Sequence, residues 1–282
     1  MIHGRKGKRC GQGASVTVAI LLMLSTACTD RGITGPAPTG NESHPGFDTS
    51  IYPGDAAMQA WLRPSSPYEW VGYYLQAPCH RDPSWMGKRQ TLVTMGWGLA
   101  VLYVGQQTFD GLPDIMIPPT ADEIQSEAVT CSRTLLTTEQ GTADAIDAVT
   151  KTASEGFASG TAIFLDIEHM DVIPASMEAY YRAWVQQVLA DGRFRPGVYV
   201  DKDNAASIHS GIERAYADMN ASGSAVYWIT SPTGFSLEAS PRDVGFPWAS
   251  VWQGIYEVSQ TWKGATINID VDVASTASPS NP

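Results

Sequence analysis

Five acidic residues lie at or near the ends of short β-rich segments: Asp48, Asp166, Glu168, Asp270 and Asp272. Asp166 and Glu168 are two residues apart in TAIFLDIE (161–168), and the same spacing separates the last two acids of the set. Side chains two apart on a β-strand point to the same face, so each pair would present two carboxylates together. A single acid at a strand end is most often a cap or a salt-bridge partner. Acids on three strands together predict a shared site.

Carboxylates that converge on one site can cleave glycosidic bonds. One acid with a raised pKa protonates the leaving oxygen, and another stabilises the positive charge that develops on the sugar or positions a water molecule. Burying one carboxyl beside others separates their pKa values. The acid pattern therefore favours chemistry on a carbohydrate.

Aromatic and amide side chains near the predicted strand ends suit the same chemistry. Aromatic rings stack on sugar rings, and the candidates are Tyr73, Tyr103, Tyr199, Trp228 and Trp252. Amide groups hydrogen-bond to sugar hydroxyls, and the candidates are Gln106, Gln107 and Gln253. For each aromatic residue taken alone, packing in the core is the more common role.

The segments that carry these residues alternate between strand and helix patterns. Runs rich in β-branched and aromatic residues predict eight strands, at 44–50, 69–76, 98–106, 161–168, 196–201, 225–232, 249–256 and 265–273. Apolar residues at helical spacing predict five helices, at 54–62, 84–96, 142–157, 174–192 and 203–220. This order predicts an α/β fold, a single-domain (β/α)8 TIM barrel over residues 45–275. A doubly wound open sheet is the alternative, and it leaves the last strand without a place.

A barrel would bring the acids together. The residues that end its strands point into one cup at the C-terminal face, so acids far apart in the sequence converge there. The segment 108–141 is long for one strand-to-helix connection and is predicted to lie over that face. Cys79 and Cys131 are predicted to form a disulfide that ties this segment down; two buried free thiols are the alternative.

The N-terminal residues 1–27 have the pattern of an export signal. A basic segment, GRKGKR, precedes the short apolar run VTVAILLML, which is followed by STAC. Ala27 before Cys28 fits a lipoprotein signal, so Cys28 is predicted to be lipidated, with residues 28–44 as a flexible tether. Plain cleavage and secretion is the alternative. The small and polar residues 276–282 predict a disordered tail.

Charge limits the partners. Removing residues 1–27 removes four of the 18 basic residues and none of the 29 acidic residues, so the formal net charge changes from −11 to −15. Such a surface repels phosphate backbones, which argues against nucleic acid. No glycine-rich phosphate loop follows a strand, so we expect no nucleotide cofactor. Alternation turns His169 away from Asp166 and Glu168, so we expect no metal ion there. We also expect a monomer.

The ordered motifs GFDTSIYPG, YYLQAPC, AVLYVGQQ, IFLDIEH, PGVYV, VWQ and INIDVDVA resemble a bacterial glycoside-hydrolase-like family known as domain of unknown function 1906. The resemblance covers about residues 45–274. Members of that family are exported proteins whose barrel looks like that of the family 25 glycoside hydrolases. Those enzymes are lysozymes that cut peptidoglycan between N-acetylmuramic acid and N-acetylglucosamine.

The resemblance also implies roles for individual residues. GFDTS matches the first-strand motif of those lysozymes and gives Asp48. LDIE matches their D-x-E motif, which makes Glu168 the candidate general acid and Asp166 its partner. IDVDVA matches their last-strand V-D-x-N, so Asp270 aligns with the acid. Asp272 replaces the usual Asn and would add a negative charge beside the bound substrate.

Two functions follow from these expectations. The first is a glycoside hydrolase, acting on cell-wall peptidoglycan or another N-acetylated glycan, with the carboxylates as catalytic groups. The second is a barrel at the cell surface that binds glycan without cutting it. A membrane would be contacted through the lipid anchor only.

Overall fold

Eight β-strands close into one barrel in the computed structural model, which describes residues 43–108 and 131–281. The strands follow one another around the barrel in chain order: β1 His44–Asp48, β2 Trp70–Tyr74, β3 Gly98–Val104, β4 Ala162–Ile167, β5 Arg195–Asp201, β6 Val226–Thr230, β7 Ala249–Trp262 and β8 Ala265–Ala274. The predicted α/β barrel is confirmed. All described residues belong to one compact unit, Gly40–Pro282.

Helices follow only the first five strands among the described residues. They are α1 Asp55–Trp61, α2 Arg89–Met95, α3 Thr138–Ser154, α4 Ala175–Asp191 and α5 Lys202–Asp218. Short 3-10 helices lie at Arg133–Leu135 and, after β6, at Pro241–Val244. Strands β1 to β7 run parallel to one another. A tight turn joins β7 to β8, so β8 runs antiparallel to both β7 and β1. The barrel therefore differs from a regular (β/α)8 barrel in its last three strands.

Helix α4 shows how the sequence builds the outer layer. Its buried residues recur at helical spacing and face the barrel, among them Met177, Tyr180, Trp184 and Val188. The helix ends at Gly192, which adopts a left-handed conformation with φ 73°. Helix α5 begins directly after β5, where the side chain of Asp201 accepts a hydrogen bond from the backbone N–H of Asp203.

Large aromatic side chains fill the barrel interior beneath the strand ends. The Trp228 ring packs edge-to-face against Trp70, with centroids 5.4 Å apart, and against Phe164 at 5.5 Å. Gly197 on β5 makes room for Phe164, because a Cβ there would lie 2.9 Å from the phenyl ring. These packed side chains close the barrel interior, so a ligand on the barrel axis above them can lie only at the C-terminal end.

The segment after β8 is ordered, and the prediction of a disordered tail at 276–282 is wrong for residues 276–281. Ser280 is fully buried at the N-terminal ends of β3 and β4. Its backbone N–H donates to Leu99 O at 3.1 Å, and its carbonyl accepts from Ala162 N at 2.7 Å. Its Oγ accepts from Val101 N at 2.7 Å. The strand ends offer unpaired backbone groups, and the tail satisfies them.

The predicted disulfide is confirmed: Cys79 and Cys131 are joined, with Cα atoms 4.7 Å apart. The predicted signal at 1–27, Cys28, most of the tether and residues 109–130 of the long connection lie outside the described residues. The tether prediction reached one residue too far, because β1 begins at His44. None of the described helices is long and apolar enough to cross a membrane.

Candidate active site

The structure brings the five acids to one end of the barrel. Asp48 ends β1, Asp166 lies near the end of β4, and Asp270 faces Asp48 across the antiparallel β1–β8 pair. Glu168 follows β4, and Asp272 lies one interior layer deeper on β8. Burial is the main cause that raises their pKa values, and the charges of neighbouring carboxyls add to the shift. We call this group the acid cup.

Asp48 is held on both oxygens. Its Oδ1 accepts from the Tyr74 hydroxyl at 2.6 Å, and its Oδ2 accepts from the Gln253 amide at 2.8 Å. Burial, followed by the charge of Asp270, raises the pKa of Asp48 to about 7 although these hydrogen bonds oppose the shift. Asp48 therefore changes its charge near neutral pH.

Asp166 and Glu168 form a hydrogen-bonded carboxyl pair. Asp166 is buried, and its Oδ1 meets no N–H or O–H donor among the described residues. Burial raises the pKa of Asp166 well above its ordinary value, and the charge of Glu168 adds to that shift. Burial also raises the pKa of Glu168, while the hydrogen bond from Asp166 opposes the rise. The two carboxyls titrate as a coupled pair, and Glu168, the more exposed of the two, faces the cup.

Gln107 fixes the backbone that carries this pair. It is fully buried, its amide N–H donates to Asp166 O at 3.0 Å, and its Oε1 accepts from Glu168 N at 3.2 Å. The sequence suggested a sugar-binding amide at this position. The structure shows a residue that positions the two acids instead, because both of its polar atoms are used by the protein.

Asp270 and Asp272 differ in burial. Asp270 is partly exposed, and its Oδ1 accepts from Glu257 N at 2.6 Å. Asp272 is fully buried, and its Oδ1 accepts from the Trp228 indole N–H at 3.1 Å. Burial, then the charges of Asp48 and Asp270, raises the pKa of Asp272 well above its ordinary value. This shift opposes the extra negative charge expected of Asp272, because burial favours the uncharged form of its carboxyl.

Among the predicted binding residues, Tyr199 and Gln253 face the acid cup. The Tyr199 hydroxyl donates to Gln253 Oε1 at 2.7 Å, and the Gln253 amide donates to Asp48 and, at 3.3 Å, to Asp270 Oδ2. Trp228 lies below the acids and is fully buried. It supports Asp272 and does not form an exposed stacking surface.

The other predicted binding residues point away from the cup. The Tyr73 hydroxyl donates to Glu155, and the Tyr103 hydroxyl donates to Asp147 on α3 at 2.9 Å, so both tyrosines pack under the helices. Trp252 is buried against Phe235. Successive side chains of a strand face opposite sides, and these residues occupy the outward positions.

Gln106 is also committed within the protein. It is buried, and its Oε1 accepts from Ser132 N at 2.9 Å. Its Oε1 thus fixes the segment next to Cys131, whereas its Nε2 is buried and has no hydrogen-bond partner among the described residues.

Two site residues escaped the sequence reasoning. Tyr74, one position after Tyr73, points inward and holds Asp48, and the burial of the whole strand left no signal in the sequence to separate it from Tyr73. Tyr256 lies at the rim with 42% of its surface exposed, and its hydroxyl hydrogen-bonds to Thr230 Oγ1 at 2.7 Å. Burial raises the pKa of Tyr256, and the charges of Asp201, Asp270 and Asp272 add to this shift, as expected for a ring beside the cup.

One group of described residues has the geometry to hold a cation. His169, Asp201 and Asp203 bring candidate ligand atoms within 4.8 Å of one another. The group lies at the rim, and His169 contacts Asp201 at 3.4 Å, turned away from the acid pair as alternation predicts.

The fold and the acid cup together define a barrel of the glycoside-hydrolase-like class. The model of the Rv2525c-like, glycoside hydrolase-like domain matches residues 59–274, and the chain belongs to that family. The resemblance indicated by the sequence motifs is confirmed. The match begins after Asp48, which β1 adds to the site.

Solved structures share the barrel at low identity. An uncharacterized protein of B. stearothermophilus is 17% identical with a TM-score of 0.54, covering 82% of this chain and 96% of that one. The modular autolysin LytC of Streptococcus pneumoniae is 14% identical with a TM-score of 0.53, covering 82% of this chain and 46% of that one, so this chain spans about half its length. The spore cortex lytic enzyme SleM of Clostridium perfringens is 11% identical with a TM-score of 0.50, covering 84% and 68%. These likenesses show the fold. No curated protein matches the chain.

Proposed function

We propose that this protein is an exported glycoside hydrolase that cleaves peptidoglycan or a related N-acetylated glycan in the acid cup. The observation that carries the proposal is the pair of Glu168 and Asp166 opposite Asp48, with burial raising the pKa of each carboxyl. Glycoside cleavage needs one carboxyl that is protonated near neutral pH and a second that balances positive charge.

Glu168 serves as the general acid. Burial favours its protonated form, and its exposure toward the cup lets it donate that proton to the leaving oxygen. Asp166 holds the orientation of Glu168 through their shared hydrogen bond. After the bond breaks, the Glu168 carboxylate can take a proton from the attacking water.

Asp48 and Asp270 provide the opposing charge. Both carboxyls accept hydrogen bonds from Gln253, which holds them on the same side of the cup. In the ionised form they stabilise the oxocarbenium-like sugar or position the water that attacks it. Protonated Asp272 donates to Asp48 from below and favours its charged form.

A glycan ligand agrees with the cup wall and with the similar structures. Tyr199 and Tyr256 offer phenol rings and hydroxyls beside the carboxylates. The autolysin LytC has been solved in complex with a synthetic peptidoglycan ligand, and SleM is a spore cortex lytic enzyme. These proteins support the proposed substrate class through a shared fold.

The experiment is release of reducing ends from purified peptidoglycan and from other N-acetylated glycans. Glu168→Gln keeps the size of the side chain and removes the proton, so we expect turnover to fall by about 10²–10⁴-fold. Glu238→Gln, at an exposed position outside the cup, is the matched control and keeps full activity. Equal turnover in wild type and Glu168→Gln would refute the assignment of the acid.

Glycan binding without cleavage is a second candidate function. It is favoured by the burial of Asp48, Asp166 and Asp272, whose hydrogen bonds to protein groups make a fixed network of donors and acceptors. Saturable binding of glycan fragments to wild type and Glu168→Gln alike, with turnover by neither, would support this function and exclude the hydrolase.

Export and lipid attachment complete the proposal. Residues 1–27 would direct export, and Cys28 would carry the lipid that holds the barrel at the membrane. We expect Cys28→Ser to move the protein from the membrane fraction to the soluble fraction. Unchanged fractionation would exclude the lipid anchor and leave plain secretion or another attachment.

A further inference from the structure

A second cavity lies at the end of the barrel opposite the acid cup. It has a volume of about 270 Å³ and is formed by the first residues of β5, β6 and β7 and by the segment after β8. We call it the basal pocket. It belongs to no part of the proposed hydrolase site, because the acids lie at the other ends of the strands.

Two buried hydroxyl groups in the lining of the basal pocket have no hydrogen-bond partner among the described residues. The Tyr227 hydroxyl is buried, with 1% of the residue exposed, and has no hydrogen-bond partner among the described residues. The same holds for Thr276 Oγ1, on the segment after β8. Burial raises the pKa of Tyr227, so its hydroxyl keeps its proton. A buried hydroxyl without a partner is costly, and a ligand acceptor would remove that cost.

Arg195 adds a positive charge to this wall. It is the first residue of β5, it lines the pocket, and its guanidinium forms no ion pair or hydrogen bond with the described residues. Arg214 and Arg63, which line two other cavities, are paired with Glu178 at 2.7 Å and with Glu69. An unpaired guanidinium in a pocket can bind an anionic group, with bidentate geometry suited to carboxylate or phosphate.

The opposite wall is aromatic and held in place. The Trp248 ring stacks on His209, with centroids 4.3 Å apart, and on Phe246 at 4.6 Å. It also packs edge-to-face against Tyr227 at 4.6 Å. A fixed aromatic wall favours a ligand with a flat, apolar body. The volume of about 270 Å³ lies just below the usual range for small-molecule sites, about 300–1,000 Å³.

From these three observations we propose that the basal pocket binds a small carboxylate with a flat apolar body, its carboxylate bound by Arg195, Tyr227 and Thr276. The aromatic wall distinguishes this ligand from inorganic phosphate, which has no apolar part to place there. The segment after β8 supplies Thr276, so the pocket is complete only when that segment is docked at the base.

The test is a ¹⁹F NMR titration of the full chain with 4-fluorobenzoate, with 4-fluorobenzamide as the neutral ligand of the same shape. We expect 4-fluorobenzoate to bind saturably at one site. The affinity for the amide should be lower by about tenfold or more, because the amide loses one charge-assisted interaction. Equal affinities for the acid and the amide, or no saturable binding of the acid, would overturn the proposal. Displacement of the acid by an equal concentration of inorganic phosphate would overturn the carboxylate assignment.

Substitutions of residues that line the basal pocket test whether 4-fluorobenzoate binds there. Arg195→Gln should lower the affinity for 4-fluorobenzoate by about tenfold and leave the affinity for the amide unchanged. Lys263→Gln removes the same charge at an exposed turn and should change neither affinity. If Arg195→Gln does not fold, Thr276→Val and Tyr227→Phe each remove one hydroxyl with little change of shape and should weaken the acid about fivefold. Unaltered binding in the folded variants would refute the site. Glu168→Gln should bind the acid like wild type, so the outcome is independent of the proposed hydrolase activity.

Discussion

The two ends of the barrel show opposite uses of buried polar groups. At the C-terminal end, Asp48, Asp166 and Asp272 are buried beside one another, and burial raises the pKa of each. At the base, Ser280 is buried too, but its polar atoms pair with the backbone of β3 and β4. Crowded carboxyls reduce stability, whereas satisfied backbone groups increase it. The contrast fits the proposed hydrolase role of the cup, while the docked tail contributes to stability at the base.

The largest expected effect is on turnover. Asp48→Asn keeps the size of the side chain but removes the charge near the developing positive centre, so we expect the glycan-cleaving rate to fall by about 10²–10⁴-fold. Circular dichroism checks that the variant is folded. Retained turnover in a folded Asp48→Asn variant would move the charge-stabilising role to Asp270.

The next largest effect is expected from removing the disulfide, which should lower the free energy of unfolding and leave turnover unchanged. It closes a loop with a sequence separation of 52 residues. Replacing both Cys79 and Cys131 with Ser should lower the free energy of unfolding by about 4 kcal/mol in the chain-entropy model. Denaturant titration measures the change, with the reduced wild-type protein as the control. A loss below about 1 kcal/mol would mean that the denatured chain is already restricted in this region.

The acid cup should also make stability depend on pH. The folded-state pKa of Asp48, about 7, lies above its ordinary value of 3.8, so its contribution is complete below pH 3.8 and is lost as the pH rises through 7. Stability should therefore decrease between about pH 4 and 7, by at most about 1.4 kcal/mol per pH unit from this group. Denaturation at several pH values measures the slope. Asp48→Asn should flatten it, and an identical slope in that variant would assign the effect elsewhere.

A smaller effect is expected at the base. Ser280→Ala leaves Val101 N–H without its buried acceptor, which should lower the free energy of unfolding by about 1–3 kcal/mol. Turnover should be unchanged, because the acids are at the other end. Ser278→Ala is the nearby control, since its hydroxyl makes a longer bond of 3.3 Å to Leu99 N. A loss of turnover in Ser280→Ala would show that the two ends are coupled.

The smallest effect is predicted for Asp272→Asn. The protonated form of Asp272, which burial favours, can accept from Trp228 and donate to Asp48, and an Asn amide can do both. Stability should change by less than about 1 kcal/mol, and turnover should be retained. Asp272→Ala, which makes neither bond, should lose stability and serves as the contrast. A large loss in Asp272→Asn would mean that the proton on Asp272 has a role that an amide cannot fill.

Patterns with a clear physical period could be read from the sequence. Alternation and β-branched content located all eight strands, and the two-residue spacing placed Asp166 and Glu168 on one face. The inward or outward direction of a given strand residue could not be read where both faces are buried. All five residues of β2 are buried, so composition does not distinguish Tyr73 from Tyr74. Only the partners, Glu155 for one and Asp48 for the other, separate them.

The tail was missed for a different reason. Its small and polar residues are typical of a disordered segment, and nothing local marks Ser280 as buried. Its order depends on backbone groups of strands that lie more than 100 residues away in the sequence. Contacts of that kind have no signal within the segment itself.

The direction of β1 has a consequence for how the protein would stand on a surface. β1 begins with His44, paired with Ala274 at the base, and ends with Asp48 in the acid cup. The chain therefore enters the barrel on the side opposite the acids. With the proposed lipid at Cys28, the intervening residues could extend for roughly 50 Å at most. The proposed lipid tether would therefore join the barrel at the end opposite the acids and would not attach beside the acid cup.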